Sequence, residues 1–84
     1  MYKVLIANSA QKSARGIPDD YWNIIVSSIS ELAENPRPYG CKKLTGTENN
    51  YRIRVGVYRI IYTIQDNILT VTVIKIDHRS NVYK

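Results

Sequence analysis

Hydrophobic and polar positions along this chain of 84 residues follow two rhythms. The N-terminal part opens with "YKVLIA", a short strand entering at Tyr2 and leaving at Asn8. A cap signal at Asn8 or Ser9 and a terminal Gly16 predict a helix of one or two turns. Pro18 suits the first position of the next helix, and Asp19 and Asp20 complement the dipole of its first turn. Within "PDDYWNIIVSSISELAEN", Trp22, Ile25, Ile29, Leu32 and Ala33 recur at three- and four-residue spacing. That spacing gives an amphipathic helix ending near Asn35, where Pro36 stops it.

After the turn "NPRPYG" the rhythm changes to period two. "CKKLTG" is a short strand with its lysines near an edge, followed by strands in "NYRIRV", "VYRIIYTI" and "ILTVTVIKI". In the last of these, Leu69, Val71 and Val73 alternate with Ile68, Ile74 and Ile76, so both faces are apolar and the strand belongs in mid-sheet. The order β, α, α and then four strands predicts an α+β domain spanning 1–84, with the helical pair on one sheet face.

"YRIRVGVYRIIY" poses the chemical question, because three arginines interrupt an apolar, β-branched run. If Gly56 and Val57 form a two-residue hairpin loop, Val55 faces Tyr58, Ile53 faces Ile60 and Arg54 faces Arg59. Tyr51, Ile53, Val55, Tyr58, Ile60, Tyr62 and Ile64 then share one face, and Arg52, Arg54 and Arg59 gather on the other. Opposed like charges cost a sheet several tenths of a kcal/mol or so per pair. Such a cluster suits a multiply charged oxygen ligand, phosphate above all. Its structural alternative is an acid, Asp77, Glu48 or one from a helix, folding over to pair the arginines.

Composition narrows the class. The chain is 44% apolar, which is globular, and its length permits one compact core. The net charge of +5 is uneven, with a balance of −1 over residues 1–36 and +6 over 37–84, which on charge alone suits either a polyanionic partner such as a nucleic acid or a merely solvated basic face. With Cys41 the sole cysteine and His78 the sole histidine, no intramolecular disulfide forms and a cysteine–histidine metal cage lacks ligands. Cys41 reads as a half-buried strand residue in a reducing compartment. No secretory or membrane-length apolar segment occurs, so a soluble, cytoplasmic protein is expected. His78 has a plain reading as a surface residue near a terminus; beside an arginine cluster it becomes a candidate for proton transfer. Tyr83 is either an aromatic plug or a stacking platform for an RNA base.

"NPRPYGCKKLTG", "NYRIRVGVYRIIYTI" and "VIKIDHRSNVY", in this order and spacing, resemble RelE-type toxins of the RelE/ParE superfamily over the whole length. The resemblance implies two N-terminal helices on a curved, mostly antiparallel sheet of about five strands. It also implies a metal-independent endoribonuclease, without cofactor, that cleaves mRNA in the ribosomal A site by attack of a ribose 2′-hydroxyl on the adjacent phosphate. A cognate antitoxin would neutralise it; a monomeric free toxin and a heterodimeric or heterotetrameric complex are expected. By the same resemblance Arg52 and Arg54 bind the message, Arg59 stabilises the pentacovalent phosphate, Arg79 is the basic residue after the last strand, and Tyr83 stacks on a base. His78 stands where relatives carry histidine or lysine.

The expected catalytic set is thus Arg52, Arg54, Arg59, His78, Arg79 and Tyr83, and the RNA-binding set Lys42, Lys43, Arg52, Arg54, Arg79 and Tyr83. Arginine at both 52 and 54 departs from relatives that place a basic lysine there, because arginine is never deprotonated at ordinary pH. The proton work then falls to His78, Tyr83, water or a ribosomal group. Two other readings remain open: a ParE-like gyrase poison, and a catalytically inactive RNA-binding or scaffold member of the fold.

Overall fold

The computed structural model describes residues 1–78. Arg79 and Tyr83, both expected site residues, lie outside the described residues. The order of elements is β1 (Lys3–Ile6), α1 (Asn8–Ser13), α2 (Asp19–Glu31), β2 (Lys42–Lys43), β3 (Asn50–Val55), β4 (Tyr58–Gln65) and β5 (Thr70–His78). The strands form one mixed sheet in the order β1-β5-β4-β3-β2. β1 runs parallel to β5, and the other neighbours are antiparallel. As the pattern predicts, β5 lies inside the sheet, and two helices pack on one face of an α+β fold.

The core collects Ile25, Ile29 and Leu32 of the α2 region, Ala10 of α1, and Ile53, Val55, Tyr58, Ile60, Tyr62, Ile64, Val71, Val73 and Ile76 from the sheet. Each fully buried aliphatic side chain stabilises the fold by about 1.5–3 kcal/mol. The helical stripe read from the sequence is therefore the face that packs, with Trp22 half-buried at its margin. α2 closes at Glu31 rather than near Asn35. Leu32, Ala33 and Glu34 donate to carbonyls three residues back, so the last turn tightens into 3-10 geometry before Pro36.

α1 departs from the capping expectation. Ala7 is its N-cap and no side chain caps it. The Ser9 hydroxyl instead donates to the Ile74 carbonyl at 2.7 Å, and Ser13 Oγ accepts from the Ile76 amide at 3.1 Å. β1 pairs with β5 only as far as Val73, so two serines one helical turn apart satisfy the edge beyond it.

β5 also differs from simple alternation. Ile61 pairs with Lys75 and Tyr62 with Val73, which leaves Ile74 as an extra residue in a bulge. The bulge resets the parity, so Val73 and Ile76 are both fully buried on the helix side. Ile68 and Leu69 precede the strand, in a 3-10 turn and its left-handed cap (Leu69 φ 49°), and both are exposed. Cys41 is half-buried as expected, but stands just before β2 rather than within it.

Candidate phosphate-binding face

The hairpin between β3 and β4 has the register required by the apolar pattern. Val55 pairs with Tyr58, Arg54 with Arg59, Ile53 with Ile60 and Tyr51 with Tyr62. Gly56 takes φ +60° at the first of the two loop positions, the pattern of a II′ turn, whose twist matches the flanking strands. Ile53, Val55, Tyr58 and Ile60 are buried under the helices, which turns Arg52, Arg54 and Arg59 to the opposite face. β2 adds Lys42 to that face as the partner of Arg52, while Lys43 pairs with Tyr51 and joins the helix side.

The three arginines differ in exposure. Arg54 is exposed, Arg52 is half-buried, and Arg59 is 6% exposed. The cluster also has an acid close by, because Asp77 of β5 lies directly across from Arg59. The Asp77 carboxylate pairs with Lys75 Nζ at 3.3 Å, and its side chain is 14% exposed. The face thus carries Lys42, Arg52, Arg54, Arg59 and Lys75 against Asp77, still strongly positive. A β3–β4 hairpin without acids of its own does not mean a face without one, since β5 supplies the carboxylate from the far side.

His78 is placed differently from expectation. It pairs with Tyr58, one position beyond Asp77, so its side chain falls on the helix side of the sheet. Its ring meets Tyr58 edge-on at 5.5 Å, and Tyr58 meets Tyr21 of α2 in the same manner, also at 5.5 Å. Side-chain alternation along β5 is what separates His78 from Arg59.

Sequence reading missed a polar clamp that holds the "NPRPYG" loop. Arg37 bonds both carboxylate oxygens of Asp66, at 2.8 and 3.3 Å, and lies 5.2 Å from the centre of the Tyr51 ring. Tyr2 donates its hydroxyl to the same carboxylate at 2.6 Å. Arg37 first, and then the Tyr2 hydroxyl, hold the Asp66 carboxyl below the usual carboxylate range; the bond to Asp66 raises the Tyr2 phenol in turn. Beneath the clamp, Tyr62 is fully buried, donates its hydroxyl to the Pro36 carbonyl at 2.8 Å and stacks on Tyr51. Burial, with Cys41 beside it, pushes the Tyr62 phenol well above its ordinary value. The only signal in the sequence was an arginine between two prolines, and no periodicity links it to Asp66.

The fold and face define a small α+β protein that displays a basic sheet surface opposite two packed helices. The family model described as ParE toxin of type II toxin–antitoxin system, parDE, matches residues 4–83. The chain belongs to this family, the RelE/ParE toxins of type II toxin–antitoxin systems. Toxin RelG of Mycobacterium tuberculosis is 28% identical over 87 residues, covering 99% of this chain and 97% of that protein. The archaeal RelE–RelB complex from Pyrococcus horikoshii contains a chain that superimposes with a TM-score of 0.82 at 26% identity, covering 93% of this chain and 94% of that one. A chain of the intact Escherichia coli RelBE toxin–antitoxin complex matches with a TM-score of 0.80 at 25% identity, over 93% of this chain and 96% of its own. Among the described residues, no helix is long and apolar enough to cross a membrane.

Proposed function

We propose that this toxin is an endoribonuclease that cleaves mRNA in the ribosomal A site by attack of a 2′-hydroxyl on the adjacent phosphate. The observation that carries the reading is the cross-strand opposition of Arg54 and Arg59 on the face turned away from the helices, with Arg52 one side-chain repeat along. Guanidinium groups converging on one spot match the equatorial oxygens of a phosphate in its transition state, and they act by charge and geometry rather than titration. Arg59, held at 6% exposure, is the preorganised partner, and the exposed Arg54 completes the clamp when the message arrives. Lys42, with Arg79 and Tyr83, extends the contact to the message, whereas Lys43 lies on the helix side and does not share that face.

In this reading His78 contributes proton transfer from the end of β5, and the ring must leave Tyr58 to reach the phosphate held by Arg59. A pH profile of cleavage by His78→Ala that matches wild type would remove it from that role. The partner is an antitoxin, in keeping with the RelE–RelB complexes among the solved relatives. Its acidic or amphipathic segment would cover the basic face of a monomeric toxin.

The test is primer extension on a translated message after induction. Wild type is expected to leave codon-spaced breaks, and Arg59→Ala to reduce them by at least about 10²-fold, the scale of losing a preorganised transition-state donor. Intact message with wild type would refute the proposal. The matched family model carries the ParE name, and the rival reading is a ParE-like gyrase poison. DNA breaks and filamentation on induction, with translation continuing, would establish it.

A further inference from the structure

β2 is two residues long, so the outer edge of β3 is uncovered beyond Arg52, and a cleft of about 520 Å³ opens there. That volume falls in the roughly 300–1,000 Å³ range of small-ligand sites. Arg52 and Arg54 form one wall, Ser28 and Glu31 of α2 another, and Tyr39 stands at the mouth. Because Val55 and Tyr58 close a two-residue hairpin as a hydrogen-bonded pair, Arg54 turns its main-chain N–H and C=O outward, toward this cleft.

Two of these residues are in locally unfavourable settings. Tyr39 is fully exposed, an aromatic ring with no protein surface to cover it. Its backbone is held in place. The Cys41 amide donates to the Pro38 carbonyl at 3.0 Å across a turn in which Gly40 takes φ +89°, so Tyr39 sits at the turn's leading corner. The base of that loop is fixed by the Tyr62 bond to Pro36 and the Arg37–Asp66 clamp. Glu31 is the second case. It lies in the last turn of α2, where a carboxylate opposes the helix dipole, and it has no ion-pair partner among the described residues. Ser28, one turn earlier, borders the cleft beside it.

We propose that this cleft is a base-binding subsite, in which a single-stranded RNA base stacks on Tyr39 and presents its Watson–Crick edge to Glu31. The inference rests on the ribonuclease reading, since the arginine wall continues the phosphate-binding face. Unpaired bases are bound by stacking on aromatic rings and by hydrogen bonds to their edges. A carboxylate is acceptor-only and takes two parallel donors best. Guanine offers two adjacent N–H groups, N1–H and N2–H; adenine, cytosine and uracil offer one at most in that position. The subsite is therefore selective for guanine, with Ser28 free to donate or accept at the margin. Arg52 and Arg54 hold the flanking phosphates, which offsets the repulsion that Glu31 alone would exert on RNA.

Nuclease-resistant 2′-O-methyl trinucleotides, each carrying one of the four bases at a defined position, test this by fluorescence anisotropy with the full chain. Guanine at one position is expected to strengthen binding about fivefold to 100-fold over the other bases. Tyr39→Ala should weaken every sequence over a similar span, about fivefold to 100-fold, while Tyr39→Phe retains binding. Glu31→Gln should abolish the guanine preference and slightly strengthen the remaining sequences, because a charge that repels phosphate is gone. A general charge effect would strengthen all four alike and keep the preference, and that result overturns the subsite. So does a Tyr39→Ala affinity within twofold of wild type, which would leave the open β3 edge to main-chain pairing with a peptide. Unchanged cleavage sites in a translated message for both variants sink the subsite alone; a wild-type protein that binds no oligonucleotide and cuts no message sinks the ribonuclease reading with it.

Discussion

Removing one oxygen from the core should loosen the loop that borders the cleft. In Tyr62→Phe the ring keeps its buried place and its stack on Tyr51, so the apolar contribution is nearly unchanged. What disappears is the hydroxyl that donates to the Pro36 carbonyl at 2.8 Å. A typical intramolecular hydrogen bond contributes about 0.5–1.5 kcal/mol net, and a buried acceptor left without its donor costs about 1–3 kcal/mol. Pro36 is itself buried, which hinders water from replacing the lost donor. The phenylalanine ring is slightly less costly to bury than the phenol, so the expected loss is about 1–2 kcal/mol. For a domain of this size that corresponds to a Tm lower by roughly 4–16 °C. Guanidinium chloride unfolding should show a lower midpoint at constant m-value, since the surface exposed on unfolding is the same. Tyr51→Phe is the control. Its hydroxyl accepts from Arg37 Nε near the surface at a long 3.4 Å, and the substitution should cost about 0.5 kcal/mol or less. Equal stability of the two variants would mean that the buried bond to Pro36 contributes no more than a long contact near the surface, contrary to this expectation.

Gly56→Ala is expected to destabilise the protein by at least about 1 kcal/mol, because φ +60° is unfavourable for an L side chain. Crowding is not the cause, since an added Cβ would meet Tyr21 Cε1 at an ordinary 3.7 Å; unchanged chemical denaturation would refute the strain argument. Asp66→Asn should destabilise at neutral pH by removing the charge that Arg37 grips with two nitrogens. Because the folded state depresses the Asp66 pKa, that contribution is complete above the unfolded carboxylate value near pH ~4 and fades as pH falls through the folded one. The stability gap between wild type and variant should thus be constant from pH 7 to 5 and shrink at pH 3; an unchanged gap at pH 3 would contradict it.

Period-two alternation by itself determines a good deal of this protein. A one-residue slip of either strand in the β3–β4 hairpin would turn its isoleucine to water and its arginine into the core, mixing the two sets, so hydrophobicity alone set the register and the gathering of the arginines. The α2 stripe was legible for the same reason, since Ile25, Ile29 and Leu32 can be buried together on one helical face. The bulge at Ile74 was not legible, because a strand apolar on both faces satisfies either parity, and only packing against β4 and α1 chose between them. Nor could local pattern foresee that Asp77 would lie across from Arg59 while His78 turned to Tyr58. Those positions depend on which strand becomes the neighbour of β4. The Arg37–Asp66 clamp and the Tyr39 cleft belong to the tertiary structure entirely. They join α2, the loop after it, the β3 edge and the β4–β5 turn, which are distant in the chain, and charge and ring contacts across such separations leave no periodic trace in the sequence.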